Sequence, residues 1–132
     1  MNRRSALLSL VAFAPALARA QDSKAERKKG GGASFIQLGV LEGTIIRPDG
    51  RRGVMTVEAG IDIPDAGLRA RTQASIPLLR AAYGDVVRAY AAGLPVSALP
   101  NADYLSREMQ RQTDRVLGRP GARLLLGSIL VN

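Results

Sequence analysis

Asp62 and Asp65, three residues apart at a predicted strand-to-helix junction, are the carboxylates in this chain best spaced for joint chemistry. Such a pair can supply oxygen ligands to a hard cation, or share a proton when two like charges crowd one site. The same spacing suits Asp65 as the cap of the helix that follows, its carboxylate accepting from free backbone N–H groups, and this is the simpler use. Around the pair, the 132 residues include no histidine and no cysteine. The commonest general base, the commonest zinc ligands and a thiol nucleophile are therefore missing, which removes catalytic triads and most transition-metal sites. Ser128 has no base to activate it, and Ser106 falls in a predicted helix among arginines and acids. Gly30, Gly31 and Gly32 precede a strand instead of bridging a strand to a helix, and no phosphate-loop lysine follows at the required spacing. We expect no catalytic residue, no cofactor, no metal and no small-molecule substrate, so the chain reads as not an enzyme.

Basic groups are the remaining chemistry. Arg107, Arg111, Arg115 and Arg119 recur every four residues along a predicted helix and its exit, which places them on one face where Asp103, Glu108 and Asp114 can pair with them. Arg47, Arg51 and Arg52 gather at a predicted hairpin tip. Each group is either a solvated surface or a contact for an acidic partner. Neither is interleaved with aromatic residues or tied to a nucleic-acid module, so no nucleic-acid partner is expected.

Two β-rich runs, 35–46 and 53–63, flank Arg47-Pro48-Asp49-Gly50-Arg51-Arg52. Proline presets the first turn dihedral, aspartate can accept from the following backbone, and Gly50 tolerates a left-handed conformation, so a hairpin is predicted. In the second run Met55, Val57, Ala59, Ile61 and Ile63 alternate with wetter residues, giving one buried face. The first run alternates less cleanly and carries Gly39 and Gly43, which predicts a bulge. A helical region opens at Asp65 and runs to about Ala92, with Pro77 either kinking it or standing in the first turn of its main part after Ser75. Leu79, Tyr83, Val86, Val87 and Tyr90 recur there at helical spacing. A second helix, capped by Asn101, covers 102–117 and is expected to bury Tyr104, Leu105, Met109 and Val116, with Gly118 and Pro120 as stop signals. The run 122–131 is apolar on both faces, as in an interior strand. The expected fold is a single α/β (α+β) domain of order β-β-α-α-β, two helices on a small antiparallel or mixed sheet.

The N-terminus gives an address. Residues 1–20 combine a short cationic start with an apolar run and end in Ala18-Arg19-Ala20, the pattern of an export signal peptide that is cleaved or kept as a membrane anchor. Arg3 and Arg4, followed by Ser5, Ala6 and Leu7, resemble a twin-arginine translocation signal; the general secretory route reads the same segment. The uncharged stretch from Ser5 to Ala18 has 14 residues, short of the ~20 that span a bilayer. Cleavage would remove Arg3, Arg4 and Arg19 and no acid, lowering the net charge from +8 to +5. Residues 21–33 then form a polar, glycine-rich linker that holds every lysine. Lys24, Arg27, Lys28 and Lys29 there make either a solvated spacer or a tail for an anionic surface, each charge contributing about 1 kcal/mol near such a membrane. The globular domain is 34–132, large enough to fold on its own core.

The signal, the two strands joined by a short turn, the helix centred on Ile76-Pro77-Leu78-Leu79-Arg80-Ala81-Ala82-Tyr83, a second helix with Leu105, Met109, Val116 and Leu117, and the closing strand together resemble the periplasmic domain of the flagellar basal-body-associated FliL family. The chain is also similar to small uncharacterised exported bacterial proteins with twin-arginine-type signals. The FliL resemblance implies a non-enzymatic periplasmic accessory domain that self-associates into rings around the flagellar motor stator; it transfers no site residues. We therefore expect a periplasmic interaction protein with a protein partner or a second copy of itself, in contact with the inner-membrane surface if the signal stays uncleaved. The alternative is a module that binds anionic lipid or wall polymer through its basic tail.

Overall fold

The computed structural model describes residues 32–132. The export signal with Arg3, Arg4, Ala18 and Ala20, and the tail cations Lys24, Arg27, Lys28 and Lys29, lie outside the described residues. Ser34–Asn132 forms one compact unit.

Two strands, β1 (Phe35–Ile46) and β2 (Arg52–Asp62), make the hairpin, followed by helices α1 (Ala66–Ala74), α2 (Ile76–Gly93) and α3 (Ala102–Leu117) and a last strand β3 (Arg123–Val131). The domain is α+β, with order β-β-α-α-α-β and a three-stranded, wholly antiparallel sheet in the spatial order β1-β2-β3. At the hairpin tip Gly50 takes φ +83° and donates its N–H to Arg47 O at 2.9 Å, while Asp49 Oδ1 accepts from Arg51 N at 2.9 Å. The predicted bulge in β1 falls between Gln37 and Gly39, where the pairing register shifts and Gly39 takes φ +81°.

The predicted helical region from Asp65 is two helices, so the fold has three helices where two were expected. Pro77 is the physical cause, because it has no N–H to continue the α1 ladder onto Gln73 and its ring crowds that carbonyl. Ser75 N closes α1 by donating to Arg71 O and Thr72 O, and Ser75 O starts α2 by accepting from Leu79 N at 2.9 Å. Both predicted caps form: Asp65 Oδ2 accepts from Leu68 N at 2.7 Å, and Asn101 Oδ1 accepts from Tyr104 N at 3.0 Å.

Helix α2 packs on β1, α3 packs on β3, and the two helices pack on each other. The core between the layers takes Met55, Val57, Ala59, Ile61 and Ile63 from β2 and the segment after it, and Leu79, Tyr83 and Val87 from α2. Each large aliphatic side chain buried this way stabilises the fold by about 1.5–3 kcal/mol. The α3 stripe differs from expectation. Leu105, Met109, Thr113 and Leu117 are buried, whereas Tyr104 is exposed and stacks on Tyr90 with ring centroids 5.5 Å apart. Thr113 is accommodated because its hydroxyl donates to Met109 O at 2.8 Å and accepts from the buried Tyr83 hydroxyl.

A second correction concerns β3. Its apolar run predicted an interior strand, yet among the described residues it pairs only with β2 and forms an edge. Apolarity on both faces here reflects one face on the core and one open to solvent, with Leu125 and Leu130 exposed.

Candidate functional site

The phase of β3 is set at its end, where Val54 and Asn132 exchange two backbone hydrogen bonds at 3.0 Å. Alternation along the strand then turns the amides and carbonyls of Val131, Ile129, Leu126 and Leu124 away from β2, toward the open edge. The change of phase occurs at a bulge, where Gly127 and Ser128 together oppose Glu58. A Cβ on Gly127 would lie 3.3 Å from the Glu58 side chain, so the strands approach closely there.

One residue from α3 closes the start of this edge. Gln110 Oε1 accepts from Leu124 N at 2.8 Å, and Gln110 Nε2 donates to Ala122 O at 2.8 Å and to Asp114 Oδ1 at 3.0 Å. The side-chain amide thus takes the place of a peptide group on a neighbouring strand. From Leu126 onward no side chain does the same among the described residues, and no charged residue occurs between Leu124 and Val131. Natural sheet edges are usually blunted by charge, proline or a covering element. The opposite edge follows that rule: Arg80 of α2 donates to Leu38 O and Val40 O beside the β1 bulge.

Beside the open edge lies a groove of about 740 Å³ between α3 and the first half of β3, lined by Ser106, Arg107, Gln110 and Arg111 on one side and Arg123 to Leu126 on the other. Of the four arginines expected on one face, the structure brings Arg107 and Arg111 together in this groove. Arg115 does not line it. Arg119 lies beyond Gly118 and donates to Asp65 Oδ2 at 3.0 Å. Arg111, exposed, pairs with the half-buried Glu108 at 3.0 Å, a contact worth about 1 kcal/mol at this degree of solvent access. Arg47, Arg51 and Arg52 are all exposed at the hairpin tip. Arg47 also borders a smaller cavity of about 280 Å³ with Ile45, Leu94, Leu99 and Val131.

The carboxylate pair does not converge on a common ligand. Asp62 Oδ1 accepts from Ser34 Oγ at 2.6 Å, while Asp65 caps α1 and pairs with Arg119. The Leu68 N–H, followed by the Arg119 guanidinium, holds the Asp65 carboxyl below its ordinary value of 3.8. Among the described residues no cluster of three acidic or metal-ligating side chains forms a metal site.

No protein-family model matches the chain, and no curated protein matches it significantly. The geometry therefore carries the functional argument. Among the described residues no helix is long and apolar enough to cross a membrane. What sequence reasoning missed is Gln110, whose amide acts on a strand that follows a turn later. The only local sign of it was an amide placed next to Met109 on the sheet-facing side of α3.

Proposed function

We propose that the chain is an exported, periplasmic, non-enzymatic accessory protein of the FliL-like kind, an assembly domain at the outer face of the inner membrane that holds its partner along the β3 edge. The observation that carries this reading is the charge-free edge from Leu126 to Val131, with Leu125, Leu130 and Val131 at 38%, 58% and 45% exposure around it. An edge of this kind offers backbone hydrogen bonds and apolar contacts together, the combination used in strand addition. The test is to express the full chain in a Gram-negative host, separate the compartments and measure native mass. Periplasmic recovery in an assembly larger than one copy, reduced to a single copy by Leu130→Arg, supports the reading. Cytoplasmic retention or a monomeric mass overturns it.

A specific observation also favours the anionic-surface alternative. Leu99 is 89% exposed and shares the smaller cavity with Arg47, so an apolar side chain and a cationic hairpin lie on one end of the domain. That pairing suits insertion of a loop between anionic headgroups, with the tail of Lys24, Arg27, Lys28 and Lys29 adding attraction. Sedimentation with phosphatidylglycerol vesicles, abolished by salt and weakened by Leu99→Ser, supports it; equal sedimentation with neutral vesicles counts against it.

A further inference from the structure

We infer that the occupant of the β3 edge is a second copy of this chain, paired antiparallel about a two-fold axis between Gly127 and Ser128. The inference rests on the assembly reading above and specifies its partner and register. A two-fold interface demands that residue i meet residue j while j meets i. About the Gly127–Ser128 midpoint the strand satisfies this in kind at every position. Gly127 faces Ser128 of the second copy, Leu126 faces Ile129, Leu125 faces Leu130, and Leu124 faces Val131.

Backbone phase agrees with the side chains. Leu126 and Ile129 both direct their amide and carbonyl to the open edge, so across the axis they form a hydrogen-bonded pair that exchanges two bonds. Leu125 and Leu130 both bond inward to β2, so across the axis they form a non-hydrogen-bonded pair with side chains together on the outer sheet face. The bulge does not spoil the ladder. Gly127 and Ser128 are one residue too many against β2, but against their own symmetry mates two residues oppose two.

Charge also selects the place. Residues 34–132 carry 12 Lys+Arg and 9 Asp+Glu, a net +3 that mildly disfavours bringing two charged surfaces together, and 124–131 is a stretch free of charge. The β1 edge differs from it: Arg80 already covers Leu38 O and Val40 O, and the exposed Glu42 sets a charge farther along that strand. Gln110 bounds the new ladder: it holds Leu124 N, so the uncontested pairing is Leu126 with Ile129, and the Leu124–Val131 pair forms only if the amide swings away.

The absence of cysteine makes the register directly readable. Non-hydrogen-bonded antiparallel pairs have Cα atoms about 4.5 Å apart, inside the disulfide range of about 4.4–6.8 Å. In the full chain, Leu125→Cys/Leu130→Cys is expected to oxidise almost completely to a covalent dimer, while each single cysteine variant crosslinks at least several-fold less. Wild type is expected at twice the monomer mass, and Leu130→Arg at the monomer mass with unchanged far-ultraviolet circular dichroism. A monomeric wild type overturns the proposal, as does a dimer in which the double-cysteine variant fails to crosslink. If the periplasmic assembly depends on Leu130 but contains one copy of this chain and a different protein, the self-pairing is overturned while the assembly reading stands.

Discussion

Gln110 and Leu124 are joined as two strands would be: the Gln110 side-chain amide accepts from Leu124 N and donates to Ala122 O, both at 2.8 Å, across the turn that links α3 to β3. A helix side chain thereby finishes the ladder at the first residues of an edge strand. Arg80 does the corresponding task beside the bulge of the other edge strand, where it bonds Leu38 O and Val40 O.

Replacing Gln110 with alanine leaves a part-buried N–H and a part-buried carbonyl without their partner, a loss of about 1–3 kcal/mol. Gln110→Glu keeps an acceptor for Leu124 N but sets a carboxylate oxygen against Ala122 O and the Asp114 carboxylate, so it should lose more than alanine. Denaturant midpoints for wild type and the two variants check the order, which is expected to run wild type, Ala, Glu from most to least stable. Equal midpoints would show that water replaces the amide without cost.

Among the described residues, Tyr83 is a buried group that makes the fold sensitive to alkaline pH. Burial pushes its pKa up from 10.0 to about 12. Because the folded value is the higher one, stability is complete below pH 10, where both states are protonated, and falls as pH rises toward 12, where the unfolded chain has lost the proton that the folded chain keeps. The loss across that window is about 3 kcal/mol. Tyr83→Phe removes the ionisation and one buried hydrogen bond, so it should be less stable by about 1 kcal/mol at neutral pH yet show a flatter alkaline limb. Urea unfolding at pH values from 9 to 11.5, compared between the two proteins, reads this difference. Parallel limbs would assign the alkaline loss elsewhere.

The elements whose cause is local were legible in the residues. Pro48-Asp49-Gly50 announced the hairpin, Asp65 and Asn101 announced the caps, and the alternation from Met55 to Ile63 gave the buried face of the central strand. The position of β3 was not legible, because Leu124 to Val131 is equally apolar whether a strand has two neighbours or one and an unfilled edge. Sheet order depends on which strands meet in space. The arginine stripe failed for a geometric reason: four residues exceed one helical turn by about 40°, so Arg107 and Arg111 share the groove while the series rotates away from it, and Gly118 ends the helix before Arg119. Gln110 was hidden because its partners, Ala122 and Leu124, belong to another element.

Gly43 lies at a close approach of α2 to the sheet. A Cβ there would stand 2.7 Å from Ala91 Cβ and 2.9 Å from Val87 O, and the second of these is backbone that cannot rotate aside. Gly43→Ala should therefore destabilise by about 1–3 kcal/mol, and Gly43→Val by more, although valine is by nature the better strand residue. Thermal melts of the two variants decide it. A gain in melting temperature for either would mean that α2 lifts from β1 freely.

Asp65 supplies the acid counterpart of Tyr83. Its carboxyl is held below 3.8 by the Leu68 N–H first and Arg119 after it, so its contribution to stability is present above that value and is lost as pH falls through the lower folded pKa. Asp65→Asn keeps an oxygen to accept from Leu68 N but removes the charge facing Arg119; its acid limb should no longer carry this titration, while α1 stays formed. Carboxyl chemical shifts followed from pH 6 to 2 identify the group directly. The same samples test the discarded chemistry of the Asp62–Asp65 pair. With Asp62 held by Ser34 and Asp65 by Leu68 and Arg119, millimolar calcium should move neither carboxyl resonance. A saturable shift of both together would show that the two carboxylates can leave those partners for a shared cation.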